Sequence, residues 1–137
     1  MDEPINLVLF SGTDDKLQAA AVLTAGAAAL GKPVNIFLQY WALDAFRADR
    51  IGADHGLAPE AGSAGRAAVD DLAAAGQASW AETLRLAKEL GGVDIQACSL
   101  SMDLLKLESD DLDPLVDGVE GVTSFYLNAG EGQLVFI

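Results

Sequence analysis

Two short apolar runs, residues 5–10 and 34–39, flank an Ala- and Leu-rich stretch, and this arrangement constrains the fold more than anything else in the chain. In the first run, Ile5, Leu7, Val8, Leu9 and Phe10 are nearly continuous, the mark of a strand buried on both faces. Residues 14–30 then place Leu17, Ala20, Leu23, Ala27 and Leu30 at helical spacing, with Asp14 and Asp15 in the first turn and Gly31 past the end. Lys32 and Pro33 restart the chain, and Val34, Ile36, Phe37 and Leu38 repeat the strand pattern. Two strands joined through a helix of this length pair in parallel, with a right-handed crossover. The sequence therefore predicts an α/β fold around a mainly parallel sheet.

The remainder of the chain extends the same alternation. A short helix is expected over 43–48, followed by an exposed and mobile loop over 49–65, where Gly, Ala and Pro displace any periodicity. Residues 66–75 are helix-prone. Ser79 and Glu82 match a capping box that opens a better helix, with Trp80, Leu84 and Ala87 on its core side and Gly91-Gly92 at its end. A third strand is expected over 93–97, a brief helix over 100–107, a fourth strand over 118–122, a helix over 123–129 and a fifth strand over 133–137. No internal repeat or low-complexity tail is present.

The 137 residues suit a single domain with a core large enough to stand without disulfides or metal. One cysteine permits no internal disulfide, and one histidine, His55, leaves no cluster for a structural zinc ion. A reducing, cytoplasmic location is expected. The start of the chain carries no positive n-region, and no apolar run approaches the ~18–20 residues of a membrane span. A formal net charge of −13 opposes contact with nucleic acid or anionic membranes.

Ligands in an open parallel sheet collect beyond the carboxyl ends of its strands. Four places satisfy that rule: Ser11-Gly12-Thr13, Tyr40-Trp41, Cys98-Ser99 and the Gly121-Val122-Thr123-Ser124 segment. Together they outline a thiol bordered by hydroxyls, backbone donors and two aromatic rings, surroundings suited to a thiolate or persulfide. At a strand-to-helix turn, unpaired N–H groups favour the thiolate. The competing reading is a buried cysteine acting as a small hydrophobe. Ser11 to Lys16 lacks the phosphate-loop pattern, no Gly-x-Gly-x-x-Gly follows a strand, and Cys98 has no Cys-x-x-Cys partner. His55, in the irregular loop, reads as solvent-facing. The paired acids Asp14-Asp15, Asp70-Asp71 and Asp110-Asp111 read as helix caps or solvated faces.

The segments Ser11-Gly12-Thr13-Asp14-Asp15-Lys16, Phe37-Leu38-Gln39-Tyr40-Trp41-Ala42, Ala97-Cys98-Ser99-Leu100-Ser101-Met102-Asp103-Leu104 and Asp117-Gly118-Val119 resemble the DsrE/DsrF/DsrH-like family. The likeness spans nearly the whole chain, is most specific around Cys98, and leans toward a DsrE-like group labelled peroxiredoxin-like in sequence descriptions. Leu38, Gln39, Tyr40 and Ala42 depart from the usual Phe-Phe-Thr-Phe-Trp-Gly, and residues 53–76 are Ala- and Gly-rich where relatives are often Met-rich.

The resemblance implies a three-layer, flavodoxin-like α/β/α fold with a five-stranded sheet and a homo-oligomer. It also implies a sulfurtransferase or sulfur-carrier role in which Cys98 holds a persulfide, with no organic cofactor and no metal. Ser11, Gly12, Tyr40, Trp41, Ser99 and Ser101 are the expected binding residues, and sulfur-donor and sulfur-acceptor proteins or small sulfane-sulfur compounds the expected partners. Two alternatives stand beside it: a thiol peroxidase-like protein passing through a Cys98 sulfenic acid, and a non-catalytic assembly subunit.

Overall fold

The computed structural model describes residues 3–137. The opening unit is β1 (Ile5–Leu9), α1 (Asp14–Ala29) and β2 (Val34–Leu38). Helix α1 ends in a Schellman turn. Gly31 takes φ +74°, its N–H donates to the Ala28 carbonyl at 2.9 Å, and the Lys32 N–H donates to that of Ala27 at 3.0 Å. The facing of α1 differs from expectation: Leu17, Ala20, Ala21, Thr24 and Ala28 are buried, whereas Leu23 and Leu30 are exposed. Alanine on nearly every side leaves little apolar asymmetry to read, and the small side chains let α1 lie close against α4 (Trp80–Leu90).

Helix α2 (Tyr40–Ala45) follows β2 at once, earlier than the 43–48 expected, and α3 (Gly62–Ala74) begins before residue 66. The segment between them is tied down. Asp14 accepts from the His55 N–H at 2.9 Å and Asp15 from the Ala58 N–H at 3.1 Å, so these two acids anchor the loop as well as opening a helix. His55 is not solvent-facing: its ring lies 5.9 Å from that of Trp80 and its Nε2 is buried. Half of the expected capping box of α4 is present: Ser79 Oγ accepts from the Glu82 N–H at 3.2 Å, while the Glu82 carboxylate bonds to Ser79 Oγ and not to the Ser79 N–H. Trp80 is buried, as its place on the apolar stripe requires.

The chain continues through β3 (Val93–Cys98), α5 (Ser99–Leu105), β4 (Gly118–Glu120), α6 (Val122–Ala129) and β5 (Leu134–Phe136). The five strands lie in the order β4-β3-β2-β1-β5, and every pairing is parallel. From β1 to β4 the chain steps one way across the sheet, so right-handed crossovers put α1, α4 and α5 on one face. The return from β4 to β5 runs the other way and puts α6 on the opposite face. The layers are therefore α/β/α, as expected, but unequal.

The main core lies under α1 and α4, where Leu7, Leu9, Ile36, Leu38, Ile95 and Ala97 meet Leu17, Phe46, Trp80 and Leu84. Under α6 a second cluster comprises Val8, Phe37, Cys98 and Phe125, with the Phe37 and Phe125 rings stacked 4.8 Å apart. Polar side chains flank it. Asn6 Nδ2 donates to the carbonyls of Ala129 at 3.2 Å and Gln133 at 3.1 Å, while Asn35 Nδ2 donates to Asn6 Oδ1 at 3.0 Å and the Asn128 carbonyl at 3.2 Å. These amides tie the end of α6 and the chain leading into β5 to β1 and β2, adding to the backbone bonds that the Ala129 and Gln133 carbonyls already accept. No described helix is long and apolar enough to cross a membrane.

Candidate functional site

Cys98 is the last residue of β3, and Ser99 begins α5. Helix α5 leaves toward the main core, where Met102 is buried, while α6 leaves β4 for the other face, where Phe125 is buried. The chain therefore divides between the two faces at the ends of β3 and β4, the usual place for a ligand in such a sheet. The loops are close there, since a Cβ on Gly121 would lie 3.7 Å from Ser99 Oγ.

Strand alternation sends the Cys98 side chain toward α6, among Val8, Phe37 and Phe125, and leaves the residue 5 % exposed. Ser99 and Asp103 are exposed on α5. Ser101 is fully buried, and its Oγ accepts from the Tyr40 N–H at 3.0 Å. Tyr40 holds φ +45°, a left-handed conformation uncommon for an aromatic residue, and this hydrogen bond supports it where β2 turns into α2.

Ser11, Gly12 and Trp41 come together in a cavity of about 290 Å³ that Asp44, Arg50 and His55 also line. Only glycine fits at position 12, because a Cβ there would overlap the Trp41 carbonyl oxygen. Close approach of the loop after β1 to α2 creates this cavity. Cys98, Ser99 and Ser101 do not line it. The predicted ring of residues is thus two neighbouring groups, one at the ends of β1 and β2 and one at β3 and β4, bridged by the Tyr40–Ser101 hydrogen bond. His55 belongs to the first group, apart from the thiol. A larger cavity of about 730 Å³ lies between α1, α3 and α4, lined by Ile51, Leu72 and Trp80 among others, and contains none of the predicted residues.

Sequence reasoning missed Glu120. It is the register partner of Cys98 across the β3–β4 pair and accepts from Asn128 Nδ2 of α6 at 3.2 Å. Burial, helped by the negative charge of Asp94, raises its carboxyl above the usual carboxylate range, while the Asn128 hydrogen bond opposes the shift. Its strand is three residues long, so no clear alternation in the sequence marks the side it faces. Asp15 is shifted the other way. Burial pushes its carboxyl up, but hydrogen bonds from Thr13 and from the Ala58 and Lys16 N–H groups outweigh that, and the net shift is downward.

Residues 1–61 match the DsrE/DsrF/DrsH-like family, a span that includes the β1-α1-β2 unit and stops short of Cys98. The chain is 30 % identical to the uncharacterized protein YrkE of Bacillus subtilis (strain 168), over 93 % of this chain and 92 % of that protein. Among solved structures, the ychN protein from E. coli superposes with a TM-score of 0.62 at 12 % identity over the full length of both chains. MTH1491 from Methanobacterium thermoautotrophicum, a protein of unknown function, superposes with a TM-score of 0.53 at 16 % identity, covering 99 % of this chain and 100 % of its own. The structural likenesses carry the fold. With the family match on the β1-α1-β2 unit and a relative similar over nearly its whole length, the chain belongs to the DsrE/DsrF/DrsH-like family.

Proposed function

We propose that this chain, as a single cytoplasmic domain spanning residues 1–137, is a sulfur carrier that holds sulfane sulfur as a persulfide on Cys98 and relays it to a partner thiol. The observation that carries the reading is the position of Cys98, the chain's one thiol, at the end of β3, beside the point where β3 and β4 send their helices to opposite faces. Family membership is consistent with a place in sulfur relay. The chemistry needs only a thiolate and access to it.

In this reading Ser99 is the exposed residue next to the thiol, and Ser101 with Tyr40 holds the two strand ends together. Ser11, Gly12 and Trp41 form a rim against which a donor or acceptor protein seats. Phe125 covers the thiol, so a donor reaches Cys98 by displacing it. Exposed Val122, Tyr126 and Leu127 on α6 and Phe136 on β5 support a homo-oligomer formed on that side.

The test is intact-mass spectrometry after exposure to thiosulfate, polysulfide or glutathione persulfide, with Cys98→Ser alongside. The expected result is a gain of one sulfur mass in the native protein alone, reversed by a reducing thiol. No gain from any donor, with a thiol that alkylates readily, overturns the reading. The burial of Cys98 favours one other reading, an assembly subunit whose cysteine is structural. Neither sulfur gain nor native-state alkylation selects it.

A further inference from the structure

We propose that Glu120 is the proton-transfer partner of Cys98, its carboxylate taking the proton from Sγ as the thiol attacks and returning it to the sulfur that leaves. The identity of the attacked sulfur rests on the persulfide reading above; the assignment of Glu120 rests on geometry.

Cys98 and Glu120 are directly paired in adjacent parallel strands. Such strands lie about 4.8 Å apart, and paired residues project to the same side. Two contacts identify that side as the one facing α6. Cys98 packs with Phe125 of α6, and the Glu120 carboxylate accepts from Asn128 of α6 at 3.2 Å. One step back along the same side, Gly118 leaves room for the Gln96 side chain, whose amide donates to Asp94 at 3.0 Å. That amide is occupied with Asp94.

Burial makes the partner necessary. At 5 % exposure the Cys98 proton has little access to water, and Val8, Phe37 and Phe125 around it have no group to receive it. The paired carboxylate does. Two groups act on that carboxylate, Asp94 from β3 and Asn128 from α6, and burial with Asp94 keeps its proton affinity above that of an ordinary glutamate. A carboxyl held in this way is suited to accept a proton and give it up again.

The step balances as Cys98–SH + R–S–SH → Cys98–S–SH + R–SH. A bond forms between Sγ and the outer sulfur of the donor, and the donor's S–S bond breaks with its electron pair leaving on R–S. Glu120 takes the proton from Sγ and delivers it to that leaving sulfur. No outside oxidant or reductant enters.

The experiment compares native protein, Glu120→Gln and Asn128→Ala from about pH 5 to about pH 9, spanning carboxyl and thiol titration. It measures the rate of Cys98 alkylation by iodoacetamide and, separately, sulfur uptake from glutathione persulfide. Glu120→Gln is expected to slow both by about tenfold or more at neutral pH and to remove the rise in rate that follows carboxyl ionisation. Asn128→Ala, which removes a hydrogen bond favouring the ionised carboxyl, is expected to move that rise to higher pH. Alkylation that depends on Glu120 without sulfur uptake supports the proton role while overturning the persulfide reading. A Glu120→Gln protein that reacts as fast as the native one, or faster, marks Glu120 as a like-charged neighbour and overturns the proposal. If circular dichroism shows Glu120→Gln unfolded, Asn128→Ala decides, and an unmoved profile overturns it.

Discussion

On the side of α1 and α4 the strands present Leu7, Leu9, Ile36, Leu38, Ile95 and Ala97, whereas on the side of α6 the same strands present Asn6, Val8, Asn35, Phe37, Asp94, Gln96 and Cys98. The first face is apolar and covered by several helices. The second has one eight-residue helix, a four-residue apolar cluster and a fringe of amides and carboxylates. Stability is concentrated on the first face, because buried apolar area is the dominant favourable term in folding. The second face carries a buried thiol and, in register on the next strand, a carboxyl raised by burial, under a cover that is thin and partly polar.

Truncation on each face should give the largest contrast. Phe46→Ala empties a fully buried site beside Trp80 and is expected to cost about 3–5 kcal/mol in denaturant unfolding. It should leave the native alkylation rate of Cys98 unchanged. Phe125→Ala is expected to cost less, about 3 kcal/mol, because α6 lies at the surface and can settle inward. It should raise the native alkylation rate severalfold. Equal alkylation in both variants would break the distinction between the faces.

Gly12→Ala comes next. Its new Cβ meets the Trp41 carbonyl oxygen, and separating the two backbones is expected to cost about 1–3 kcal/mol. The disturbance should appear in Trp41 fluorescence while the α6 amides keep their hydrogen-exchange protection. Asn6→Ala, on the α6 side, removes a second donor to the Ala129 and Gln133 carbonyls and the acceptor of the Asn35 amide, for an expected loss of about 1–3 kcal/mol. Here α6 should exchange faster while α1 does not. Loss of protection in both helices would show that the two faces unfold as one unit.

The smallest effect is in pH dependence, where the two shifted carboxyls act in opposite directions. Asp15 titrates below its unfolded value, so its contribution to stability is present above that value, near pH 4, and is lost as pH falls through the lower folded value. Glu120 titrates above its unfolded value, so its contribution is complete below about pH 4 and is lost as pH rises through the higher folded value. The acid-side fall in stability should therefore be shallower in Asp15→Asn, and the neutral-side slope flatter in Glu120→Gln. The same slope in all three proteins would mean that neither carboxyl is linked to folding.

The β1-α1-β2 unit was legible because its signals are local: two apolar runs, a helical spacing between them, and a glycine where the helix must stop. The strand-end rule also led to Cys98 without any structure. The facing of α1 was hidden, since alanine at so many positions makes several faces nearly equivalent, and contact with α4 chose the one through Ala20, Ala21 and Thr24. Asp14 and Asp15 read as caps, but the cap position is Thr13 and the two acids lie in the first turn. Their bonds to the backbone at His55 and Ala58 join residues about forty positions apart, which no local pattern reports.

The sequence by itself determined the alternation of strands and helices, the parallel sheet this requires, and the strand end that carries the one thiol. These follow from periodicity and from the steric rule on crossovers, which act within a few tens of residues. Tertiary structure alone decided that the predicted site divides between two strand pairs, that Phe125 covers the thiol, and that Glu120 is paired with Cys98. Each depends on which strands become neighbours in space and in what register. That choice is made by the summed packing of both faces and by no single segment.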